Sequence, residues 1–203
     1  MARYTGPSDR IARRFGVPLF GPSKALERRA YPPGVHGARA GRRKRSDYAI
    51  ALDEKQKLRF QYGLLEKQFR RIYTEASRRR GITGDIMLQI LELRLDNVAY
   101  RMGLGATRRA SRQFVNHGHI LVNGKKVDIP SYAVKAGDKV EVHGANRSQQ
   151  LGLRLLDSTA ARPIMDWIEL DREKMVATIA REPDPSEIDP MVNVQLIVEL
   201  YSR

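Results

Sequence analysis

Apolar positions change period along the chain, and the changes mark its parts. From Met1 to Arg45 no period is sustained, and Gly and Pro recur every few residues (Gly6-Pro7, Gly21-Pro22, Pro32-Pro33-Gly34, Gly37, Gly41). Such an arm cannot bury a core by itself. Its exception is Ser8–Phe15, where Ser8 or Asp9 is placed to cap one or two helical turns. After Asp47, residues Leu58, Tyr62, Leu65, Phe69, Ile72 and Ala76 fall at steps of three and four, which predicts helix with one buried face. Gly63 either splits that run or permits close packing. Arg78-Arg79-Arg80-Gly81 reads as a helix end, with cations at the negative end of the dipole, and Thr83 with Asp85 opens a helix carrying Ile86, Ile90 and Leu91.

The stretch from Arg94 to Val142 organises the rest. Leu95, Val98, Ala99 and Met102 share one face of a short helix ending at Gly103, and Thr107 caps the next, which leads Arg108, Arg109 and Arg112. Steps of three and four put Arg108, Arg112 and Asn116 on one exposed face, while Ala110, Phe114 and Val115 supply apolar contact. Gly118 stops this helix. His119–Val122, Asn123-Gly124 and Lys125–Val127 form a hairpin, because Asn-Gly suits a type I′ turn with two positive φ angles. Gly137-Asp138 precedes a further strand, Lys139–Val142. Beyond Arg154, Ile164–Leu170 alternates like a strand, Asp171–Ile179 reads as a short helix or turn, and Glu182–Pro190 as an irregular acidic loop. Trp167 is expected to be a core or interdomain anchor rather than a base-stacking residue, because its flanks are acidic and would repel phosphate. The apolar run Val192–Leu200 is too rich to be left in solvent, so it is expected to pack back onto the first helical body.

Charge adds function to this outline. The chain of 203 residues carries 37 Lys/Arg against 23 Asp/Glu, a formal charge of +14. Residues 1–45 hold 12 basic against 2 acidic residues and residues 93–153 hold 10 against 4, whereas residues 154–203 hold 6 against 10. Positive charge gathered in an arm and one module suits phosphate neutralisation, which strengthens binding without reading sequence. Interleaved Phe15, Tyr31 and His36 offer rings for unpaired bases. There are no cysteines, which excludes disulfides and thiolate metal sites. No run of 18 apolar residues exists and the first residues lack a signal-peptide core, so a cytoplasmic protein is expected, without membrane contact.

The helix, basic helix and hairpin with TRRASRQFVNHGHILVNGKKVDIPSY resemble the RNA-binding module of the small-subunit ribosomal protein S-four family. Ala30–Gly37, Glu54–Lys57 and Tyr62–Arg70 resemble the bacterial form of the same family, so the likeness spans essentially the whole chain. It implies a primary binder of 16S rRNA that holds a helix junction and nucleates assembly of the small subunit. It also implies contact with ribosomal protein S-five and other small-subunit proteins, and an influence on translational accuracy. Some members bind their own mRNA, which leaves a regulatory role open. Many members carry zinc-ligand cysteines in the arm; with none here, the chain is similar to the cysteine-free branch, and neither metal nor other cofactor is expected.

The module also resembles one found in some pseudouridine synthases and tyrosyl-tRNA synthetases, and Arg94-Leu95-Asp96 mimics the triplet around the catalytic aspartate of such synthases. Only about 50 residues follow Leu153, too few for a catalytic domain. His36, His117, His119 and His143 are scattered without a nucleophile, and Asp96 at a helix start is better read as paired with a nearby arginine. Neither an enzyme nor a small-molecule substrate is expected.

The expected architecture is α+β: a basic arm (1–45), a mostly helical, discontinuous body (46–92), an inserted helix-helix-hairpin RNA module (93–153) and a C-terminal part (154–203) that packs back on the body. The candidate rRNA contacts are Arg3, Arg10, Arg13, Arg14, Tyr31, His36, Arg39, Arg42, Arg43, Lys44 and Arg45 in the arm, then Lys55, Lys57, Arg70 and Arg71 in the body. In the module they are Arg108, Arg109, Arg112, Asn116, His117, His119, Lys125 and Lys126. The two basic surfaces are expected to flank one RNA junction and to hold it by backbone charge and shape.

Overall fold

In a computed structural model, which describes residues 4–42, 44–188 and 191–202, the chain divides into two compact units. Met1–Met87 with Asp189–Arg203 forms the first, and Leu88–Ile188 the second. The fold is α+β, with helices throughout and one small antiparallel sheet.

The first unit is helical. Helix α1 (Ser8–Phe15) begins after Pro7, whose ring cannot cap, so neither Ser8 nor Asp9 is the capping residue. Asp9 instead accepts a hydrogen bond from the Ser23 hydroxyl at 2.9 Å, and Ser23 caps α2 (Lys24–Arg28). A 3-10 turn covers Gly37–Arg42. The arm therefore has packing of its own: Ile11 and Leu19 bury against Phe60, with Tyr4, Phe15, Val17 and Phe20 around them. Phe60 belongs to α3 (Asp47–Gln61), so the arm has a core because it borrows one ring from the helical body. The predicted long helix breaks at Tyr62-Gly63, where Gly63 takes φ 65°, and resumes as α4 (Glu66–Arg78).

Helix α5 (Thr83–Glu92) begins in the first unit, and α9 (Val194–Ser202) returns to it and packs along α3. Gly84 lets α9 approach closely, since a Cβ there would stand 2.9 Å from Val194 Cγ1. Tyr201 of α9 donates to Glu66 at 2.7 Å and stacks on Tyr73 with ring centroids 4.7 Å apart.

The second unit begins with the remainder of α5, followed by α6 (Leu95–Arg101) and α7 (Arg108–Asn116) packed together. Strands β1 (Ile120–Val122) and β2 (Lys125–Lys126) form the predicted hairpin, with Asn123 and Gly124 at φ 51° and 76°. Strand β3 (Lys139–Val142) pairs with β1, and helix α8 (Asn146–Ser158) follows. Strands β4 (Ile168–Asp171) and β5 (Val176–Ile179) complete an antiparallel sheet of order β2-β1-β3-β5-β4.

Two sequence readings differ from this arrangement. Asp171–Ile179 is a turn leading into a strand. Residues 154–188 do not return to the helical body but extend the module's sheet through β5 on β3, leaving α9 as the described segment that returns. The pairing is driven by Ala177 and Ile179, both fully buried beside Val140, Ile120 and Trp167 in one apolar core.

Candidate nucleic-acid interface

The orientation of α7 is set by buried charge. Its N-terminus is capped by Thr107, whose hydroxyl accepts from the Ala110 N–H at 3.2 Å. One turn in, Arg112 points inward rather than to solvent. It is 5% exposed, and its guanidinium donates to Asp96 at 2.6 Å. Arg94 donates to the same carboxylate at 3.1 and 3.0 Å. The RLD triplet is thus a structural ion pair, and Arg112 is corrected from a surface contact to an interior one. Two charges so buried need each other, because removing either leaves the second without compensation.

A second cluster lies beside it. Glu92, 1% exposed, accepts from Asn97 at 2.7 Å and from two Arg101 nitrogens at 2.9 Å each. Asn97 in turn accepts from Arg108 at 2.8 Å, and Arg108 also lies over the Tyr100 ring. Arg108 is accordingly half-buried, as is Arg109, while Asn116 and His117 are exposed at the helix end. Sequence spacing placed these residues correctly on one helix, but the two acids that draw the arginines inward lie on other elements.

At the hairpin, Lys125 and Lys126 are exposed. His119 is half-buried: its Nδ1 and Ser148 Oγ share a hydrogen bond at 2.8 Å, and its ring lies 4.9 Å from that of Phe114. Burial holds its pKa below the ordinary histidine value, and the charges of His117, Arg147, His143 and Lys126 add to the effect. His119 is therefore a packing element with basic residues around it.

In the first unit the predicted residues separate into three groups. Arg10, Arg39 and Lys44 are exposed, as are His36 and Tyr31, the last at 39%. Arg13, Arg14 and Arg45 are engaged with the protein itself. Arg13 donates to the carbonyls of Arg29 and Tyr31 at 3.2 Å each and lies over the Tyr31 ring, so it holds the arm's loop. Arg14 and Arg45 both pair with Asp53, at 3.6 and 2.9 Å. Arg3 and Arg43 lie outside the described residues, and Arg42 is described only as the end of the 3-10 turn.

On the body, Lys55 is corrected: it is 8% exposed, bonded to Glu66 at 2.8 Å and placed over the Tyr201 ring. Burial works to raise the Glu66 pKa, but hydrogen bonds from Lys55 and Tyr201 and the nearby Arg59 more than offset it, and the carboxyl sits below its usual range. Lys57 is bound to Glu54 at 2.6 Å. Arg70 and Arg71, by contrast, are exposed on α4 and line an open groove with Lys67, Thr74 and Arg78. Lys67 and Arg78 were missed as candidates. Their signal was present, since positions 67, 71, 74 and 78 recur at helical steps and form one ridge.

Among the described residues no group of three His, Cys, Asp or Glu side chains could hold a metal ion, and no helix is long and apolar enough to cross a membrane. What the two units offer chemically is exposed cations around aromatic and histidine rings, on a scaffold whose inward arginines are neutralised by Glu92 and Asp96.

Comparison with known proteins places this scaffold. Residues 3–92 match the Ribosomal protein S4/S9 N-terminal domain, and residues 93–140 match the S4 domain. The chain is 63% identical to the small ribosomal subunit protein uS4 of Akkermansia muciniphila, over the full length of both. It is 55% identical to that of Opitutus terrae and 52% identical to that of Persephonella marina, again with complete coverage. These relatives are ribosomal proteins and not enzymes. The chain belongs to the small ribosomal subunit protein uS4 family.

Proposed function

We propose that the chain is a structural constituent of the small ribosomal subunit that binds 16S rRNA through both of its units. In one, the contacts are the α7 end and the hairpin, with Asn116, His117, Lys125 and Lys126. In the other they are the α4 ridge of Lys67, Arg70, Arg71 and Arg78, with the exposed residues of the arm. The observation that carries this reading is the sorting of charge: Asp96 and Glu92 neutralise the arginines that face inward, while these cations stay at the surface. Cations arranged along helix and hairpin edges suit a phosphate backbone and the shape of folded RNA more than a particular base sequence.

On this reading the chain joins 16S rRNA early, holds a helix junction and nucleates assembly. With ribosomal protein S-five as a neighbour it also contributes to translational accuracy. Reconstitution tests it. Small subunits assembled from 16S rRNA should retain the chain through a high-salt wash, and omission of the chain should stall assembly. A chain that washes off like an unrelated basic protein, or assembly that proceeds without it, contradicts the proposal.

A further inference from the structure

The turn between α6 and α7 is closed from outside the matched S4 domain, which ends at residue 140. Carbonyl oxygens at a helix end lack intrahelical donors and must find others. Here the Tyr100 and Gly103 carbonyls each accept one local backbone N–H, at 3.1 and 2.8 Å, and further donors come from the segment following α8. Thr159 Oγ1 donates to the Gly103 carbonyl at 2.8 Å. Arg162 donates to the carbonyls of Tyr100, Gly105 and Ala106 at 2.8, 3.1 and 3.0 Å. The Arg162 guanidinium also lies over the Tyr100 ring, 4.1 Å from its centroid, and the Arg108 guanidinium lies over the same ring at 4.6 Å. A planar fork can meet several carbonyls and stack on a ring at once; an ammonium cannot.

We propose that Arg162 is a positioning residue of the RNA interface. By clamping the Leu104–Ala106 turn and sharing Tyr100 with Arg108, it sets the placement of α7, and so of Asn116 and His117 at the helix end that meets RNA phosphate. The functional RNA module of this chain therefore extends past α8. This rests on the reading of the second unit as an rRNA binder. Arg162 gives three hydrogen bonds to carbonyls, so it acts by holding α7 in place rather than by neutralising phosphate itself.

The test uses the full chain and a 16S rRNA fragment, with affinity measured against salt at a temperature where circular dichroism shows every variant folded. Arg162→Met and Arg162→Lys should both weaken binding about tenfold, the scale of a coupling between neighbouring residues. The slope of log K against log salt should stay at the wild-type value, because no phosphate contact is lost. In an Arg108→Met background the Arg162 substitutions should have a smaller effect than in the wild type, because the two guanidiniums share the Tyr100 ring. Wild-type affinity in folded Arg162→Met overturns the proposal, as does full rescue by Lys with a shallower slope in Met. A wild-type chain that shows no salt-dependent binding overturns the RNA reading itself, and the proposal with it.

Discussion

Arg112→Ala separates interior charge from interface charge. The side chain is 5% exposed and donates at 2.6 Å to Asp96, itself 5% exposed. Truncation removes the closer of two cations from a buried carboxylate, and breaking a buried pair costs about 3–5 kcal/mol. The two bonds that Arg94 retains to Asp96, at 3.1 and 3.0 Å, place the loss at the low end, about 3 kcal/mol. For a chain of this length, with about 2–4 °C lost per kcal/mol, thermal unfolding should shift down by roughly 6–12 °C. RNA affinity measured below that transition should keep its wild-type salt slope, since the lost guanidinium faced a carboxylate. Lys125→Ala and Lys126→Ala should do the reverse: unchanged Tm and a slope smaller by about 1 each. Calorimetry and a salt titration of RNA binding decide it. An Arg112→Ala protein with wild-type Tm and a slope reduced by about 1 would place Arg112 at the RNA interface and not in the interior.

Two further predictions concern titrating groups. His119 has a folded-state pKa below the ordinary value of 6.5, so the unfolded chain takes up the proton first as pH falls. Its contribution to stability is present above about pH 6.5 and is lost as pH falls from there toward the folded value. An NMR titration of the His119 ring should show a midpoint below 6.5, and one at or above that value contradicts the account. Tyr201 has its pKa raised, chiefly by burial and then by the hydrogen bond to Glu66. Tyr201→Phe keeps the ring stack but removes that bond, and with Glu66 half exposed the loss should be about 1 kcal/mol. Hydrogen exchange should then speed up across α9; unchanged protection there argues against a stabilising role for the Tyr201–Glu66 bond.

Much of this fold was readable in the sequence because local rules carried it. Asn123-Gly124 needed two positive φ angles, Thr107 was a capping residue in the right place, and the apolar run Val192–Leu200 had to be covered. The failures share a cause, which is partnership across distance. Arg112 has exposed-arginine spacing, and only Asp96, sixteen residues earlier, draws it inside. Lys55 lies on the Ala51, Leu58, Tyr62 stripe, so its burial was visible in the period, but its partners Glu66 and Tyr201 were not. Arg162 gave no local signal at all. Strand β5 was obscured by the Asp171–Lys174 turn, where Asp171 accepts from the Lys174 N–H at 3.0 Å; it became a strand because β3 offered an unpaired edge.

On the proposed reading, particular exposed cations of both units meet 16S rRNA. Lysine acylation followed by mass spectrometry, with and without 16S rRNA, tests it at single residues. Lys67, Lys125 and Lys126 should react in the free chain and be protected by RNA. Lys174, exposed on the charge-balanced β4–β5 turn, should react in both states, and buried Lys55 should react slowly in both. Protection of Lys174 with continued reactivity of Lys67, Lys125 and Lys126 would contradict the interface described here.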